Sequence, residues 1–325
     1  MLKTGISNRN YHGSVDLLSR STAWNLLTTC PQKVRHELNY PKASTPAQIL
    51  GSAFHSATLE PEKFDDEFAV KPDEIDGQGP RTKHYKEAFE IMQKNEPDKS
   101  WLAPSDYDLV MDMAASALDH PILRTHMSES KSIIEGTGRF EMEGAKCKVR
   151  PDLYNPLAGV VLDLKSTLDA SPKGFAKSVR QWGYTFQACW YMHGLRLIGE
   201  KPRQFIFLAV EKFPPFLTAA YTITASEIDK QLGNMEKACQ LWANCENSGI
   251  WPGYTDEITT LELGLYGTNR LNVMQMADKF GYSRTYVYRI IREHNLESKF
   301  IGNRRTIDIT DFANAVRRDS EGKAA

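Results

Sequence analysis

Residues 149–167 carry the sequence VRPDLYNPLAGVVLDLKST, and this stretch decides the fold. Two short runs of strand-forming residues flank the turn-forming residues 155–159, which predicts two strands joined by a tight turn. The first strand ends in Asp152, and the second carries Asp163 and Lys165 within an otherwise apolar run. Three charged side chains are therefore expected at one hairpin.

The charges on the second strand need a partner. Residues two apart share a face of a strand, so Asp163 and Lys165 point one way while Leu162 and Leu164 point the other way, into a core. A buried charge without a partner costs free energy or shifts its pKa. Lys165, a distant arginine or a metal ion could each compensate Asp163. An isolated D-x-K is most often a structural ion pair or part of a solvated edge strand.

Asp152 favours a metal ion over a structural ion pair or a solvated edge strand. A tight hairpin brings its carboxylate beside Asp163, and two hard oxygen ligands at one place suit Mg²⁺ or Mn²⁺ better than zinc. Lys165 would then orient the attacking water or help to deprotonate it. A metal ion lowers the pKa of bound water and a positioned lysine supplies a cation, so this arrangement would suit metal-assisted hydrolysis.

A helix after the second strand carries a polar stripe. Tyr184, Gln187 and Tyr191 have the spacing i, i+3, i+7 and therefore share one helix face. An amphipathic helix that buries aromatic rings explains Phe186 and Trp190 well. It explains a glutamine in the centre of the stripe less well.

Composition excludes several classes of protein. The chain has 325 residues, 41% apolar content and a net charge of −1, so no global field attracts it to nucleic acid or membrane. Its five cysteines are scattered without a CxxC motif, which fits a reducing cytosol. Neither a signal peptide nor a long apolar span is found, so we expect a cytoplasmic protein without a membrane segment.

The rest of the chain predicts an α/β or α+β fold with a central mixed sheet flanked by helices. Helices are expected at 18–39 with an interruption at Pro31, and at 46–61, 81–95, 105–123, 172–199 and 225–249. A loop is expected at 71–84, and strands at 135–143, 145–154, 159–167, 203–212 and 217–224. Glu143-Gly144 is expected to form a hairpin turn.

The C-terminal part resembles a winged helix-turn-helix of the excisionase kind. We divide the chain into a first domain at 1–255, a linker at 256–269, the helix-turn-helix module at 270–319 and a tail at 320–325. The module is predicted to have two helices around a glycine turn, a hairpin turning at Asn303 and a helix capped by Thr310. It holds ten Lys/Arg against five Asp/Glu over 270–318, which favours phosphate contacts. A protein-interaction or oligomerisation module is the alternative.

Within this module, Val287, Ile290 and Ile291 are expected to form a core stripe. The residues proposed to bind DNA are Arg284, Tyr288, Arg289 and Arg292 on the second helix and Arg304 and Arg305 at the tip of the wing.

The first domain resembles the PD-(D/E)XK nuclease superfamily, which has a restriction-endonuclease-like core. The motif P-D-(x10)-D-x-K followed by Q-x3-Y carries the resemblance. Three upstream segments, LSRSTAWNLLTTCP, LGSAFHSATLEPEKF and SIIEGTGRFEMEGAKCKVRPDLY, are similar to those of RecB/RecE-type nucleases. The resemblance is closest to RecE-type phage recombination exonucleases (exonuclease VIII-like).

This resemblance implies residue roles. Asp152, Asp163 and the backbone carbonyl of Leu164 would bind Mg²⁺, for which Mn²⁺ could substitute. His55 would bind a second metal position or touch the scissile phosphate, with Gly51 allowing its helix to approach closely. Lys165 would act on the attacking water. Gln187, Tyr191 and Tyr184 would hold the lysine or a phosphate. Glu135 would be the upstream acid of the family. Arg150 would contact phosphate or brace the hairpin.

The resemblance also implies a function. We expect a Mg²⁺-dependent exonuclease that digests duplex DNA ends 5′→3′ for recombination or annealing, in a bacterial or phage-infected cytoplasm. A ring-shaped homo-oligomer and a RecT-like single-strand annealing partner are implied as well. No iron–sulfur cluster is expected, because Cys30 lacks three grouped cysteines and is predicted to be buried. The alternatives are an endonuclease directed by the C-terminal module and a catalytically silent DNA-binding regulator.

Overall fold

The computed structural model of the protein describes residues 2–255, 257–258, 270–301 and 304–321. The chain forms two compact units, residues 1–254 and 255–325, and each is described by itself. Among the helices in the described ranges, none combines the length and the apolar character needed to cross a lipid bilayer.

The first unit contains twelve described helices and nine described strands. The helices are α1 (Asn8–Gly13), α2 (Arg20–Thr28), α3 (Pro31–Asn39), α4 (Pro46–Leu59), α5 (Pro61–Glu67), α6 (Lys83–Asn95), α7 (Pro104–Asp119), α8 (Pro121–Ser128), α9 (Pro172–Gln181), α10 (Tyr184–Leu197), α11 (Ala225–Asp229) and α12 (Leu232–Ser248). The strands are β1 (Phe68–Val70), β2 (Ser100–Leu102), β3 (Ile133–Ile134), β4 (Gly138–Met142), β5 (Ala145–Val149), β6 (Leu153–Asn155), β7 (Val160–Thr167), β8 (Gln204–Glu211) and β9 (Thr218–Thr222).

A five-stranded mixed sheet with the order β3-β6-β7-β8-β9 lies at the centre of this unit. Strands β7 and β8 are parallel, and the other neighbours are antiparallel. Helices cover both faces, so the predicted mixed α/β fold with a central mixed sheet is confirmed. A separate hairpin pairs β4 with β5, and it turns at Glu143-Gly144 as predicted.

Two hydrophobic clusters cover the two faces of the sheet. One contains Phe186 and Trp190 of α10 together with Phe207 of β8. The other contains Phe54 of α4 and, from β7, both Leu162 and Leu164. The predicted alternation along β7 is therefore confirmed, because its leucines enter one core while the residues between them face α10.

The hairpin of β6 and β7 sets the register of the charged residues. Leu153 pairs with Leu162, and the side chain of Asn155 accepts hydrogen bonds from the N–H groups of Leu157 and Ala158, both at 3.1 Å. The prediction that one strand runs from 145 to 154 is wrong, because the chain leaves β5 after Val149 and starts β6 at Leu153. Pro151 has no N–H to donate to a ladder, which explains the break.

Three predicted helices are each divided in the structure. Residues 105–123 are divided at His120, between α7 and α8. Residues 172–199 form α9 and α10, separated at Trp182-Gly183, where Gly183 has φ = 63°. Residues 225–249 form α11 and α12, separated at Lys230-Gln231. The predicted interruption at Pro31 is confirmed, since α2 ends at Thr28 and α3 begins at Pro31.

The second unit has six described elements: β10 (Arg270–Leu271), α13 (Val273–Phe280), α14 (Arg284–Glu293), β11 (Ser298–Ile301), β12 (Arg304–Asp308) and α15 (Ile309–Glu321). The strands form an antiparallel sheet with the order β10-β12-β11. Val287 and Ile290 are buried, and Ile291 is partly buried against them.

The cap of the last helix differs from the prediction. The carboxylate of Asp308 accepts the N–H of Thr310 at 2.8 Å, so Asp308 rather than Thr310 caps α15. Asp308, two positions earlier, is the cap because its side chain reaches the free N–H groups of the first helical turn. The predicted turn at Asn303 lies outside the described residues, as does most of the predicted linker.

Candidate active site

Three carboxylates form one row across three neighbouring chain segments. Ile134 of β3 pairs with Leu153 of β6, which pairs with Leu162 of β7. One position beyond these paired residues, the three segments carry Glu135, Asp152 and Asp163, respectively. The N–H of Glu135 continues the pairing by donating to the Asp152 carbonyl at 3.0 Å. Like charges opposite one another on paired strands repel, so this row needs a cation nearby.

A cavity of about 850 Å³ opens beside this row. One wall is the polar face of α4, where Gln48, Gly51, Ser52 and His55 repeat with helical spacing. Gly51 was expected to allow close approach of the helix, and that expectation is wrong. A Cβ at Gly51 would meet no described atom within 4 Å, so the glycine borders open space.

Asp152 and His55 meet at this wall. Oδ2 of Asp152 accepts the N–H of Leu164 at 2.7 Å and lies 3.4 Å from Nδ1 of His55. Burial and the Lys165 charge lower the pKa of His55 to about 4, while Asp163 and a hydrogen bond to the Leu164 backbone act in the opposite direction. The imidazole is therefore neutral near pH 7, the form in which histidine binds metals. The Leu164 carbonyl faces the same side as its N–H, because both groups of a strand residue point to one edge.

Glu135 completes a three-residue cluster. The ligand atoms of His55, Glu135 and Asp152 all lie within 4.8 Å of one another. Glu135 has φ = 49°, an unfavourable backbone conformation for a residue with a side chain, and such strain is often found at functional sites. Burial and the charge of Asp152 raise the pKa of Glu135 well above its usual range, and Arg150 opposes this.

The chemistry of this cluster fits a divalent cation. Two carboxylates, a neutral imidazole and the Leu164 carbonyl are nitrogen and oxygen donors. Burial also raises the pKa of Asp152, against the effects of Lys165 and the Leu164 N–H. A cation would remove the repulsion within the row and release the protons that these shifts favour. The predicted ligand set contained Asp163, whereas the cluster in the structure contains Glu135.

Asp163 is completely buried and is held from both sides. Nε2 of Gln187 donates to its Oδ1 at 2.5 Å, and Lys165 forms an ion pair with Oδ2. Burial raises the pKa of Asp163 to about 6, Lys165 lowers it, and Asp152 raises it further. Gln187 was expected to hold the lysine or a phosphate, but in the structure it holds the carboxylate.

Lys165 lies against an aromatic ring. Its Nζ is 5.0 Å from the centroid of the Tyr184 ring. Burial lowers the pKa of Lys165, but Asp163 and Asp152 outweigh it, and the net direction is upward. The side chain therefore stays an ammonium and acts as a cation rather than as a base. Tyr191, the third residue of the stripe, lines the cavity.

Arg150 braces the N-terminal segment. Nε donates to Oγ1 of Thr137 at 2.9 Å, Nη1 donates to Oδ1 of Asn8 at 3.0 Å, and Nη2 donates to the Ile6 carbonyl at 2.7 Å. Arg150 also lines the cavity, so its two predicted roles, contact with phosphate and support of the hairpin, both stay predictions.

Arg20 is a cation near the site that the sequence analysis did not identify. Its Nη2 donates to the carbonyls of Trp182 and Gly183 at 2.8 and 2.7 Å. Burial lowers its pKa, and the nearby Tyr191 and Asp163 act in the opposite direction. The available signal was its place directly after Ser19, the cap of α2, inside the segment LSRSTAW.

In the second unit, the predicted DNA-binding residues fall into three groups. Arg284, Tyr288 and Arg292 are exposed and repeat every fourth residue along α14. Arg289 instead binds Oδ2 of Asp319 at 2.9 Å and Oε2 of Glu293 at 2.6 Å, so its guanidinium is occupied within the unit. Arg304 and Arg305 lie in β12, and their side chains lie outside the described part of the chain.

Comparison with known proteins agrees with this geometry. Residues 20–263 match the family described as "PDDEXK-like domain of unknown function (DUF3799)". The chain is similar in structure to a "Putative exonuclease" from Eubacterium rectale, with 17% identity, a TM-score of 0.57, and coverage of 82% of this chain and 100% of that one. It also matches a phage-related exonuclease from Haemophilus somnus 129PT at 14% identity, with a TM-score of 0.31 and coverage of 72% and 96%.

A search of curated proteins finds no match to the chain. The family match covers about three quarters of the sequence, including every residue of the carboxylate row and of the Gln187–Tyr191 stripe. The predicted membership of the PD-(D/E)XK superfamily is thereby confirmed, and the chain belongs to the PDDEXK-like family DUF3799.

Proposed function

We propose that the protein is a Mg²⁺-dependent deoxyribonuclease that digests duplex DNA from its ends. The observation that carries the proposal is the row of Glu135, Asp152 and Asp163. Glu135 and Asp152 line a cavity together with a neutral His55, and the buried Asp163 is paired with a charged Lys165. Buried carboxylates beside an imidazole and an ammonium are the groups that metal-assisted phosphodiester hydrolysis requires.

His55, Glu135, Asp152 and the Leu164 carbonyl would hold the ion. When bound, Mg²⁺ lowers the pKa of water and neutralises the charge that develops on the phosphate oxygens. The chain supplies the remaining functions. The Lys165 ammonium, fixed between Asp163 and the Tyr184 ring, offers a positioned positive charge to the attacking water and the phosphate. Gln187 keeps Asp163, and through it Lys165, in one orientation.

Action on ends, 5′→3′ polarity and a role in recombination rest on the similarity to RecE-type nucleases. The same similarity supports a ring-shaped homo-oligomer and a RecT-like annealing partner.

The test uses linear, nicked and covalently closed circular duplex of the same sequence, with Mg²⁺ and with EDTA. We expect digestion of linear DNA that depends on the metal, with closed circles left intact. Each 5′ or 3′ end of the linear duplex is labelled in turn to determine polarity. Absence of hydrolysis of every substrate with Mg²⁺ or Mn²⁺ would overturn the proposal and favour a catalytically silent regulator.

A second candidate is an endonuclease directed by the second unit. It is favoured by the exposed row of Arg284, Tyr288 and Arg292 on α14, which has the spacing of a helix that contacts DNA. Cleavage of closed circles at defined positions would support it. Removal of residues 268–325 should then abolish the positional preference while cleavage itself persists.

A further inference from the structure

The junction between α9 and α10 presents an exposed tryptophan. Trp182 is 55% exposed, and of the six tryptophans, all of them within the described residues, it is the one that is exposed. Tryptophan is usually well buried because its large apolar surface is costly to hydrate. An indole left in solvent at this corner is therefore available to a ligand.

Several contacts hold this corner rigid. Gly183 adopts φ = 63°, and a Cβ there would lie 2.6 Å from the Trp24 indole, so the close packing requires glycine. Nη2 of Arg20 donates hydrogen bonds to the carbonyls of Trp182 and Gly183 at 2.8 and 2.7 Å. The Trp182 N–H donates to the Ser178 carbonyl at 3.0 Å. The backbone that carries the indole is thus fixed on both sides.

The corner is directly connected to the candidate active site. Tyr184, two residues after Trp182, holds its ring 5.0 Å from Nζ of Lys165. The Gly183 carbonyl accepts the N–H of Gln187 at 3.1 Å, and the Gln187 side chain donates to Asp163. One short segment therefore carries the exposed indole, the ring under the catalytic ammonium and the partner of the buried carboxylate.

We propose that Trp182 is a stacking platform for an unpaired nucleobase of the strand being hydrolysed. This inference rests on the proposed nuclease function and adds the form of its substrate. Stacking on an aromatic ring is tolerant of sequence, because every base has a π-face. Within a duplex each base is already stacked on its neighbours, so the indole selects a strand whose terminal bases are separated from their complement.

The direct test is binding of a fluorescein-labelled oligothymidylate in EDTA, where no hydrolysis competes. We expect Trp182→Ala to raise the Kd about five- to hundredfold, the range given by the loss of one stacked base. Trp182→Phe should restore most of the affinity, which a role in packing alone would not predict. The matched control is Leu197→Ala, because Leu197 is 54% exposed and ends α10, the helix that begins two residues after Trp182.

Three results would overturn the inference. The Kd is unchanged in Trp182→Ala, it is raised equally in Leu197→Ala, or the unmodified protein fails to bind the oligonucleotide. Thermal unfolding of each variant checks that the corner has not collapsed, and Trp182→Phe remains informative if the alanine variant unfolds. Hydrolysis is scored separately on linear duplex with Mg²⁺. Hydrolysis with no effect of Trp182 on binding would refute the stacking platform alone, and a Trp182-dependent Kd without hydrolysis would refute the nuclease alone.

Discussion

Asp163→Asn should abolish hydrolysis and at the same time stabilise the metal-free protein near neutral pH. The carboxylate is fully buried, and burial raises its pKa from the ordinary 3.8 to about 6 in spite of Lys165. Each unit of pKa shift corresponds to about 1.4 kcal/mol, so keeping this group ionised costs the fold about 3 kcal/mol. Asparagine keeps an oxygen that accepts from Gln187 but carries no charge.

The sign of the pH dependence follows from linkage. The pKa of Asp163 is higher in the folded state, so below the unfolded value of 3.8 the group is protonated in both states and the substitution has little effect. Between that value and about 6 the folded state binds more protons, and stability falls as pH rises. The advantage of Asp163→Asn should therefore grow across this window and be complete above it.

The assay is urea unfolding in EDTA at about pH 4, the lower edge of this window, and at about pH 8, above it. Tryptophan fluorescence is the probe, since all six tryptophans lie in the first unit and the second unit does not contribute. The control is Asp108→Asn, because Asp108 is exposed on α7. Mg²⁺ should then stabilise the unmodified protein more than the variant.

Equal stability of the variant and the unmodified protein at about pH 8 would refute the reasoning, since it would mean that burial of the carboxylate carries no cost. A stabilisation of the same size at both pH values would also refute it, because the effect would then not come from ionisation. Loss of stability at every pH would show that the ion pair with Lys165 outweighs burial.

Other substitutions test separate parts of the structure. Lys165→Ala should keep DNA affinity and lose about 10²- to 10³-fold in kcat, measured on linear duplex; an unchanged kcat would show that another group stabilises the reacting phosphate. Gly51→Ala should raise the free energy of unfolding by about 0.5–1 kcal/mol, because the site is helical and open, whereas Gly183→Ala should lower it by more than about 1 kcal/mol through positive φ and contact with Trp24. Deleting residues 268–325 should weaken duplex binding and flatten its dependence on salt concentration; an identical salt slope would mean that the second unit binds something other than DNA.

The hairpin of the site was predictable from sequence because its signals are local. Alternation of apolar and charged residues around Asp163 fixes which side chains share a face, and the residues of the turn fix the register with Asp152. Helix α4 with His55 was predictable for the same reason, from periodicity and a capping box at Thr45.

Features that depend on distant residues were not predictable. Gly183 is the local signal for the end of α9, but its close packing follows from the Trp24 ring and the Arg20 guanidinium, which lie far away in sequence. The position of Glu135 has a similar origin, since its backbone bond to Asp152 and its positive φ arise from pairing across the sheet. Local secondary-structure propensity does not predict contacts of this kind.

The partners of the three carboxylates show how their roles divide. One oxygen of Asp163 binds Gln187 and the other binds Lys165. One oxygen of Asp152 accepts the N–H of Leu164. Glu135 is held less closely, because its nearest ion-pair partner, Nε of Arg150, lies 3.8 Å from Oε2. The oxygens open to a cation are therefore concentrated on Asp152 and Glu135, next to the neutral His55. A cation that also recruited Asp163 would compete with Lys165 for Oδ2, so metal occupancy and the position of the ammonium would be coupled.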